Sequence, residues 1–352
     1  MAGVFKPRVC EKIPPSPFPL TQNETFPLLT SHGRTHQYHC FKAPLISDPP
    51  QSPLPDPSRY PDWYGELWVR YPLGPPRSPT YHGLVVKARA DLLSICVEFA
   101  SVAFRNPEQR EQLSVKQILG FYTRLTDWRD KLPEPLTPRK IVLPNQLKLH
   151  MYYNFTLVNM LRPIIMHDWS DGALSDRAPA PALPMPPKSP RDAYLDAKIH
   201  YETAIRLYYL RHGFEALDPF VGLFLAFLTQ LTVDTIKADP RSPDVKEWRS
   251  TVLLAAKGIY DYSRSIYVMR AVLRLQIGLM LPGDVEELKH FARIDAQNEI
   301  HAPLEQPIHS NWSMYAVGYN QRPKNLTSLL GSMSLGPANS SAAHSSGPAG
   351  SY

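Results

Sequence analysis

The stretch Asp62–Leu73 reads DWYGELWVRYPL, an aromatic-rich segment that ends in a proline-containing turn and leads into a long helical pattern. Ser78-Pro79 predicts the start of that helix, because serine caps helix N-termini and proline suits the first helical position. The pattern continues to Arg105. Aromatic side chains such as these usually pack against other side chains and rarely act in catalysis. The stretch therefore predicts a helical body that functions through binding contacts and not through catalysis.

Helical periodicity follows directly after this stretch. Apolar residues recur at steps of three and four, as expected of an amphipathic helix: Val85, Ala88, Leu92, Cys96, Phe99 and Ala103. Ser114 and Gln117 then have the spacing of a capping box, which predicts a second helix start. That helix is expected to end at Pro133. A third helix is predicted over Gln146–Leu161, and Pro163 is expected to end or kink it.

Four further start signals follow in the second half of the chain. Ser189-Pro190 predicts a helix to Gly213, and Asp218-Pro219 predicts a buried apolar helix. Ser242-Pro243-Asp244 predicts a helical tract to about Leu281, either continuous or broken around residues 258–263. A short helix capped by Asp284 and Glu287 is expected last. No strand pattern is found, so the fold class predicted is all-α, a multi-helix body.

Composition divides the chain into three parts. Of 352 residues 38 are proline, concentrated before Thr80 and between Pro179 and Pro190. We predict a disordered or irregular leader at 1–59, a helical regulatory domain at 60–300 with a loop at 168–188, and a disordered tail at 301–352. The net charge of +6 comes from singly scattered Lys and Arg, which favours a solvated basic surface over a nucleic-acid groove.

The most apolar run is Phe220–Leu228, with a weak extension to Val233. A bilayer span needs about 20 apolar residues, and Gln230 and Asp234 interrupt this one. It is therefore expected to be a core helix, and no membrane partner is predicted.

Candidate metal sites are weak. The three cysteines (Cys10, Cys40 and Cys96) are far apart, and Cys96 is expected to be a buried free thiol. A cluster of His32, His36, His39 and Cys40 matches no zinc spacing, and a loop with Asp168, Asp171 and Asp176 lacks the closing glutamate of a calcium site. We expect no metal and no cofactor.

No nucleophile elbow, phosphate-binding loop or paired acid–base constellation is present, so no catalytic residue and no enzyme activity are predicted. The tyrosine stripe Tyr194, Tyr201 and Tyr208 fits either core packing or the lining of a small-effector pocket.

Ser-Pro dipeptides have two interpretations. In Ser78, Ser189 and Ser242 the N-cap interpretation is favoured over proline-directed phosphorylation. Ser52, in the leader, is the favoured phosphosite.

Several of these segments resemble, in order and spacing, the middle homology region of fungal binuclear zinc cluster transcription factors. The segments are the block 63–73, the stretch Leu125–Pro133 (LTDWRDKLP), and the pair Leu147–Asn154 and Leu161-Arg162-Pro163. The resemblance is strongest to the nitrogen-assimilation and xylanase-regulator types. It marks these residues as fold-defining: Trp63, Gly65, Glu66, Trp68, Pro72, Trp128, Pro133, Arg162 and Pro163.

The resemblance implies a regulator of RNA polymerase II genes located in the nucleus. It would act by helix packing with an effector, with protein partners of the transcription machinery, or with a family relative in a homodimer or heterodimer. The family's zinc cluster needs six cysteines, and this sequence has three. DNA binding is therefore expected only if a missing cluster is restored. The alternative is a truncated fragment or a paralogue without the DNA-binding head, acting through protein contacts alone.

Overall fold

A computed structural model describes residues 54–70, 77–103, 114–166, 188–215 and 218–292, and the backbone of 311–312 and 324–325. The helices within these ranges are α1 (Pro61–Tyr64), α2 (His82–Ala103), α3 (Val115–Asp130), α4 (Pro144–Met166), α5 (Pro190–His212), α6 (Pro219–Ala238), α7 (Val245–Ser263), α8 (Tyr267–Ile277) and α9 (Pro282–Ala292), with a 3₁₀ turn at Glu134–Leu136. The all-α prediction is confirmed.

Three helix starts lie where the sequence predicts them, whereas α7 starts at Val245, after Asp244, and Ser242 does not cap it. The Ser114 hydroxyl accepts from the Gln117 amide at 3.2 Å, and the Gln117 side chain accepts from the Ser114 amide at 2.9 Å. Ser189 caps α5 with Pro190 at its first position. Asp218 caps α6 through a bond from the Phe220 amide at 3.1 Å.

The prediction that Ser78-Pro79 starts a helix is wrong. These residues form strand β2 (Ser78–Pro79), which pairs antiparallel with strand β1 (Trp68–Val69). The Thr80 amide donates to the Leu67 carbonyl at 2.9 Å, so the chain stays extended through this point. Helix α2 starts at His82. A second short ladder joins β3 (Asn311–Trp312) to β4 (Lys324–Asn325), so the absence of strands is also corrected.

Two other boundaries differ from the prediction. Pro163 does not end its helix, since α4 continues to Met166. The predicted tract from Ser242 is interrupted between Ser263 and Tyr267, at the far end of the segment expected to break. Gly258 lies inside α7, where a Cβ atom would come within 2.6 Å of Leu225 Cδ1. That glycine therefore permits close packing of α6 on α7.

The core is built around helices that are neighbours in the chain. Helix α4 packs on α5, α6 packs on α7, and α7 contacts both α8 and α9, while α2 and α3 contact each other and α4. Aromatic rings of α4, α5 and α6 meet at the centre: Tyr152, Phe155, Tyr201, Phe224 and Phe227. The Tyr201 hydroxyl donates to the Phe224 carbonyl at 2.9 Å, which satisfies the polar end of a fully buried ring.

Cys96 is a buried free cysteine, as predicted. Cys10, Cys40, Arg105, the histidine cluster at 32–39, the aspartates at 168–176 and Ser52 lie outside the described residues.

Candidate contact surface

The aromatic block forms a small cap on the start of α2. Gly65 ends α1 with φ of 63°, and the Glu66 carboxylate accepts from the Thr80 hydroxyl at 2.7 Å. The rings of Trp63 and Tyr64 meet edge to face at 4.6 Å. Trp68 is 60% exposed and takes no part in the core.

Trp128 joins three helices. Its indole Nε1 donates to the Ala88 carbonyl on α2 at 2.9 Å, and its ring stacks on Tyr153 of α4 at 5.5 Å between centroids. Pro133 begins the 3₁₀ turn, where its carbonyl accepts from the Leu136 amide at 2.9 Å.

Arg162 links α4 to α6. Its guanidinium donates to the Asp234 carboxylate at 3.2 Å, and 12% of its side chain is exposed. Asp234 also accepts from the Gln230 amide at 2.8 Å. Pro163 follows it in the chain, and Pro72 lies outside the described residues. Of the motif residues whose side chains the structure describes, Trp63, Trp128 and Arg162 therefore occupy separate packing sites.

The tyrosine stripe of α5 lies in the core. Tyr194, Tyr201 and Tyr208 are 6%, 0% and 3% exposed. Burial raises the pKa of each phenol above its ordinary value. Of the two interpretations of this stripe, core packing is the one the structure supports.

Among the side chains that the structure describes, no group of three or more His, Cys, Asp or Glu could hold a metal ion.

An open groove of about 300 Å³ lies between α5, α7 and α9, and we call it the α5–α7–α9 groove. Its lining is mostly apolar and comprises Arg206, Tyr209, Leu210, Ser250, Leu253, Leu254, Glu287 and Phe291. Leu253 and Leu254 are each 8% exposed and form the floor. Leu210 and Phe291 are 76% and 48% exposed and stand on the walls.

Helix α9 is held in place by two buried groups. The Asp284 carboxylate, 4% exposed, accepts from Arg249 Nε of α7 at 2.7 Å. Leu288 on the next turn is fully buried. Because α9 is anchored at these points, Phe291 is presented on a fixed wall of the groove.

The opposite wall is fixed by a polar network. Arg206 Nε donates to Glu202 at 2.9 Å, and its guanidinium also donates to the Thr251 hydroxyl. That hydroxyl donates to Glu202 at 2.6 Å. The network ties α5 to α7 and places a positive group on one wall, across from the exposed carboxylate of Glu287 on the other.

Helix α5 therefore carries apolar residues on two faces. Its inner face is the tyrosine stripe, and its outer face carries Leu195, Ile199 and Leu210, which are 44%, 63% and 76% exposed. The sequence reasoning missed this outer face and the groove beside it. The recurrence of Leu195, Ile199 and Leu210 at helical spacing away from the tyrosines was a usable signal.

Such a surface is suited to binding a partner. A fixed apolar groove next to an exposed Leu and Phe suits the apolar side of an amphipathic helix. Exposed large apolar residues grouped together are typical of contact sites.

Helix α6 is long and apolar enough to cross a membrane by length and composition, over Phe220–Ala238. In that window 67% of the residues are buried inside the fold. Its apolar residues therefore pack in the core of the fold.

Comparison with known proteins finds partial relatives. The chain is 28% identical over 176 residues to the nitrogen assimilation transcription factor nirA of Emericella nidulans, a match that covers 47% of this chain and 18% of nirA. It is 32% identical over 53 residues to the nitrogen assimilation transcription factor nit-4 of Neurospora crassa, covering 15% of this chain and 5% of nit-4. The chain thus spans less than a fifth of the length of either relative.

No family model matches the chain. No solved structure matches it either. The chain therefore has weak sequence similarity to fungal nitrogen assimilation transcription factors.

Proposed function

We propose that this chain is a regulatory region of a fungal transcription regulator that acts in the nucleus through protein contact at the α5–α7–α9 groove. The observation that carries the proposal is the similarity to two proteins named as nitrogen assimilation transcription factors. The all-helical fold, with its open apolar groove, supports a role in binding.

The physical support for protein contact is the groove itself. Its floor is apolar and buried, while Leu210 and Phe291 offer large apolar surfaces on fixed walls. Burying such side chains against a partner helix stabilises a complex by about 25 cal/mol per Å² before the cost of association is subtracted. Arg206 and Glu287 on opposite walls can orient an approaching helix.

DNA binding is outside the role that we propose for this chain. The sequence contains three cysteines, and a binuclear cluster needs six thiolates. Any DNA binding by the regulator would therefore need a zinc cluster supplied by other residues or by a partner.

The experiment is a tethered reporter assay. The chain is fused to an unrelated DNA-binding domain in a filamentous fungus that carries the matching binding sites upstream of a reporter gene. We expect reporter transcript to rise or fall relative to the DNA-binding domain alone, with the fusion in the nucleus. A reporter level equal to that control, with the fusion folded and nuclear, would contradict the proposal.

The alternative, a chain that acts only by binding and titrating protein partners, predicts a different pattern. The tethered chain would then leave the reporter unchanged. Expressed untethered, it would alter transcription driven by an intact regulator. The observation that supports this alternative is the small number of cysteines in the sequence.

A further inference from the structure

We infer that Ser189 is a phosphorylation site for a proline-directed protein kinase. The described part of the chain contains four Ser/Thr-Pro dipeptides, which begin at Ser78, Thr137, Ser189 and Ser242. The kinase needs an accessible hydroxyl and a proline directly after it. The structure separates the four by the exposure of the serine or threonine.

Three of the four are obstructed. Ser78 is half-buried in the β1–β2 ladder opposite Val69. Thr137 and Ser242 are also half-buried.

Ser189 differs from these three in being exposed. Its φ of −61° and ψ of 150° are extended, as the proline that follows requires. Lys188 and Arg191 flank the dipeptide. The serine also caps α5: its oxygen accepts from the Asp192 amide at 3.1 Å and its hydroxyl donates to the Asp192 carboxylate, and both bonds lie at the surface.

The reaction is an ordinary phosphoryl transfer. The Ser189 Oγ atom attacks the γ-phosphorus of ATP and forms a new O–P bond, while the bond from that phosphorus to the bridging oxygen breaks and ADP leaves. The hydroxyl proton passes to the catalytic base of the kinase.

The modification would rearrange charges that are now paired. The Ser189 hydroxyl donates to the Asp192 carboxylate at 2.7 Å, and a phosphate there would repel that carboxylate. Lys188 directly precedes Ser189, and its ammonium is paired with Asp196. That ammonium can turn from the carboxylate to the phosphate. The site therefore places a removable negative charge at the start of α5.

The test compares the folded full chain with synthetic peptides of the four motifs, using a purified proline-directed kinase, ATP and site-resolved mass spectrometry. We expect Ser189 to be modified at a similar rate in chain and peptide. The other three should be modified roughly tenfold or more slowly in the folded chain, because they must wait for local opening.

Two variants keep the fold while removing one requirement each. Ser189→Asp retains an N-cap and lacks the hydroxyl, whereas Pro190→Ala retains the hydroxyl and lacks the proline. Both should lose the phosphate at this position while their circular dichroism melts match wild type within a few degrees. Modification of Pro190→Ala at the wild-type rate would overturn the inference. So would an unmodified Ser189 in a folded chain whose peptide is a substrate.

Discussion

The indole Nε1 of Trp128 donates a hydrogen bond of 2.9 Å to the backbone carbonyl of Ala88, forty residues earlier in the chain. This bond joins α3 to α2, and the stacking of the same ring on Tyr153 adds α4. A single side chain therefore fixes the relative positions of three helices in the first half of the fold.

Trp128→Ala should lower the free energy of unfolding by about 3–5 kcal/mol, the usual cost of removing a large buried aromatic side chain. Trp128→Phe keeps a ring and loses the hydrogen bond, so a smaller loss is expected. Urea unfolding followed by circular dichroism measures both. Trp68→Ala is the control, since that ring is 60% exposed and should change stability by about 0.5 kcal/mol or less. An equal loss in the Trp68 and Trp128 variants would refute the assignment.

Gly83→Ala should destabilise the cap formed by the aromatic block. A Cβ at this position would lie 2.8 Å from Cγ of Tyr64, so the ring or the helix must move. Overpacking of this kind costs about 1–3 kcal/mol. Gly120→Ala is the matched control, because nothing lies within 4 Å of its Cβ position and alanine favours helix. Thermal melts of both variants give the comparison, and a stability gain in Gly83→Ala would contradict the packing described.

Acid should destabilise the fold through His150. Burial lowers the pKa of this imidazole below its ordinary 6.5, against the opposing effect of the carbonyl of Leu136, 2.7 Å from Nε2. A depressed folded-state pKa gives stability that is present above the pKa of the unfolded chain and lost as pH falls through it. Unfolding free energies between pH 8 and pH 5 should therefore fall more steeply for wild type than for His150→Gln. The same substitution at the exposed His200 is the control. Identical slopes for wild type and His150→Gln would show that His150 is not responsible.

Cys96 should resist alkylation while the chain is folded. Burial raises the pKa of its thiol from 9.0 to about 12, and 1% of the residue is exposed. The neutral thiol is thus favoured in the fold, and this contribution to stability is lost as pH rises from about 9 towards 12. Iodoacetamide labelling at pH 8, mapped to the Cys96 peptide, should be slow in buffer and fast in urea. Rapid labelling in buffer would mean that α2 does not cover this thiol.

Helix caps were predictable because they depend on neighbours in the chain. Ser114 with Gln117, and Ser189 with Pro190, carry their hydrogen-bond partners within three residues, and the structure has both caps. The Ser78-Pro79 signal failed for the opposite reason. Its partner strand lies ten residues earlier, and pairing with Trp68 overrode the local preference for a helix start.

The candidate site was less accessible to sequence reasoning. The groove brings Arg206 of α5 next to Ser250 of α7 and Phe291 of α9, residues separated by more than forty positions. Their meeting depends on how α9 returns to α7 through the Arg249–Asp284 pair. The outer apolar residues of α5 can be recognised in the sequence. Whether another helix covers them depends on the tertiary fold, which local sequence patterns do not predict.

The most direct test of the account is the tethered reporter assay repeated with two variants on the outer face of α5. Leu210→Asp places a charge on the groove wall, and Ile199→Asp places one on the same helix outside the groove lining. Both side chains are more than 60% exposed, so both variants should keep wild-type melting behaviour. We predict that Leu210→Asp abolishes the effect of the tethered chain on the reporter and that Ile199→Asp retains it. A full reporter effect with Leu210→Asp, at equal protein level, would contradict the claim that the groove carries the regulatory contact.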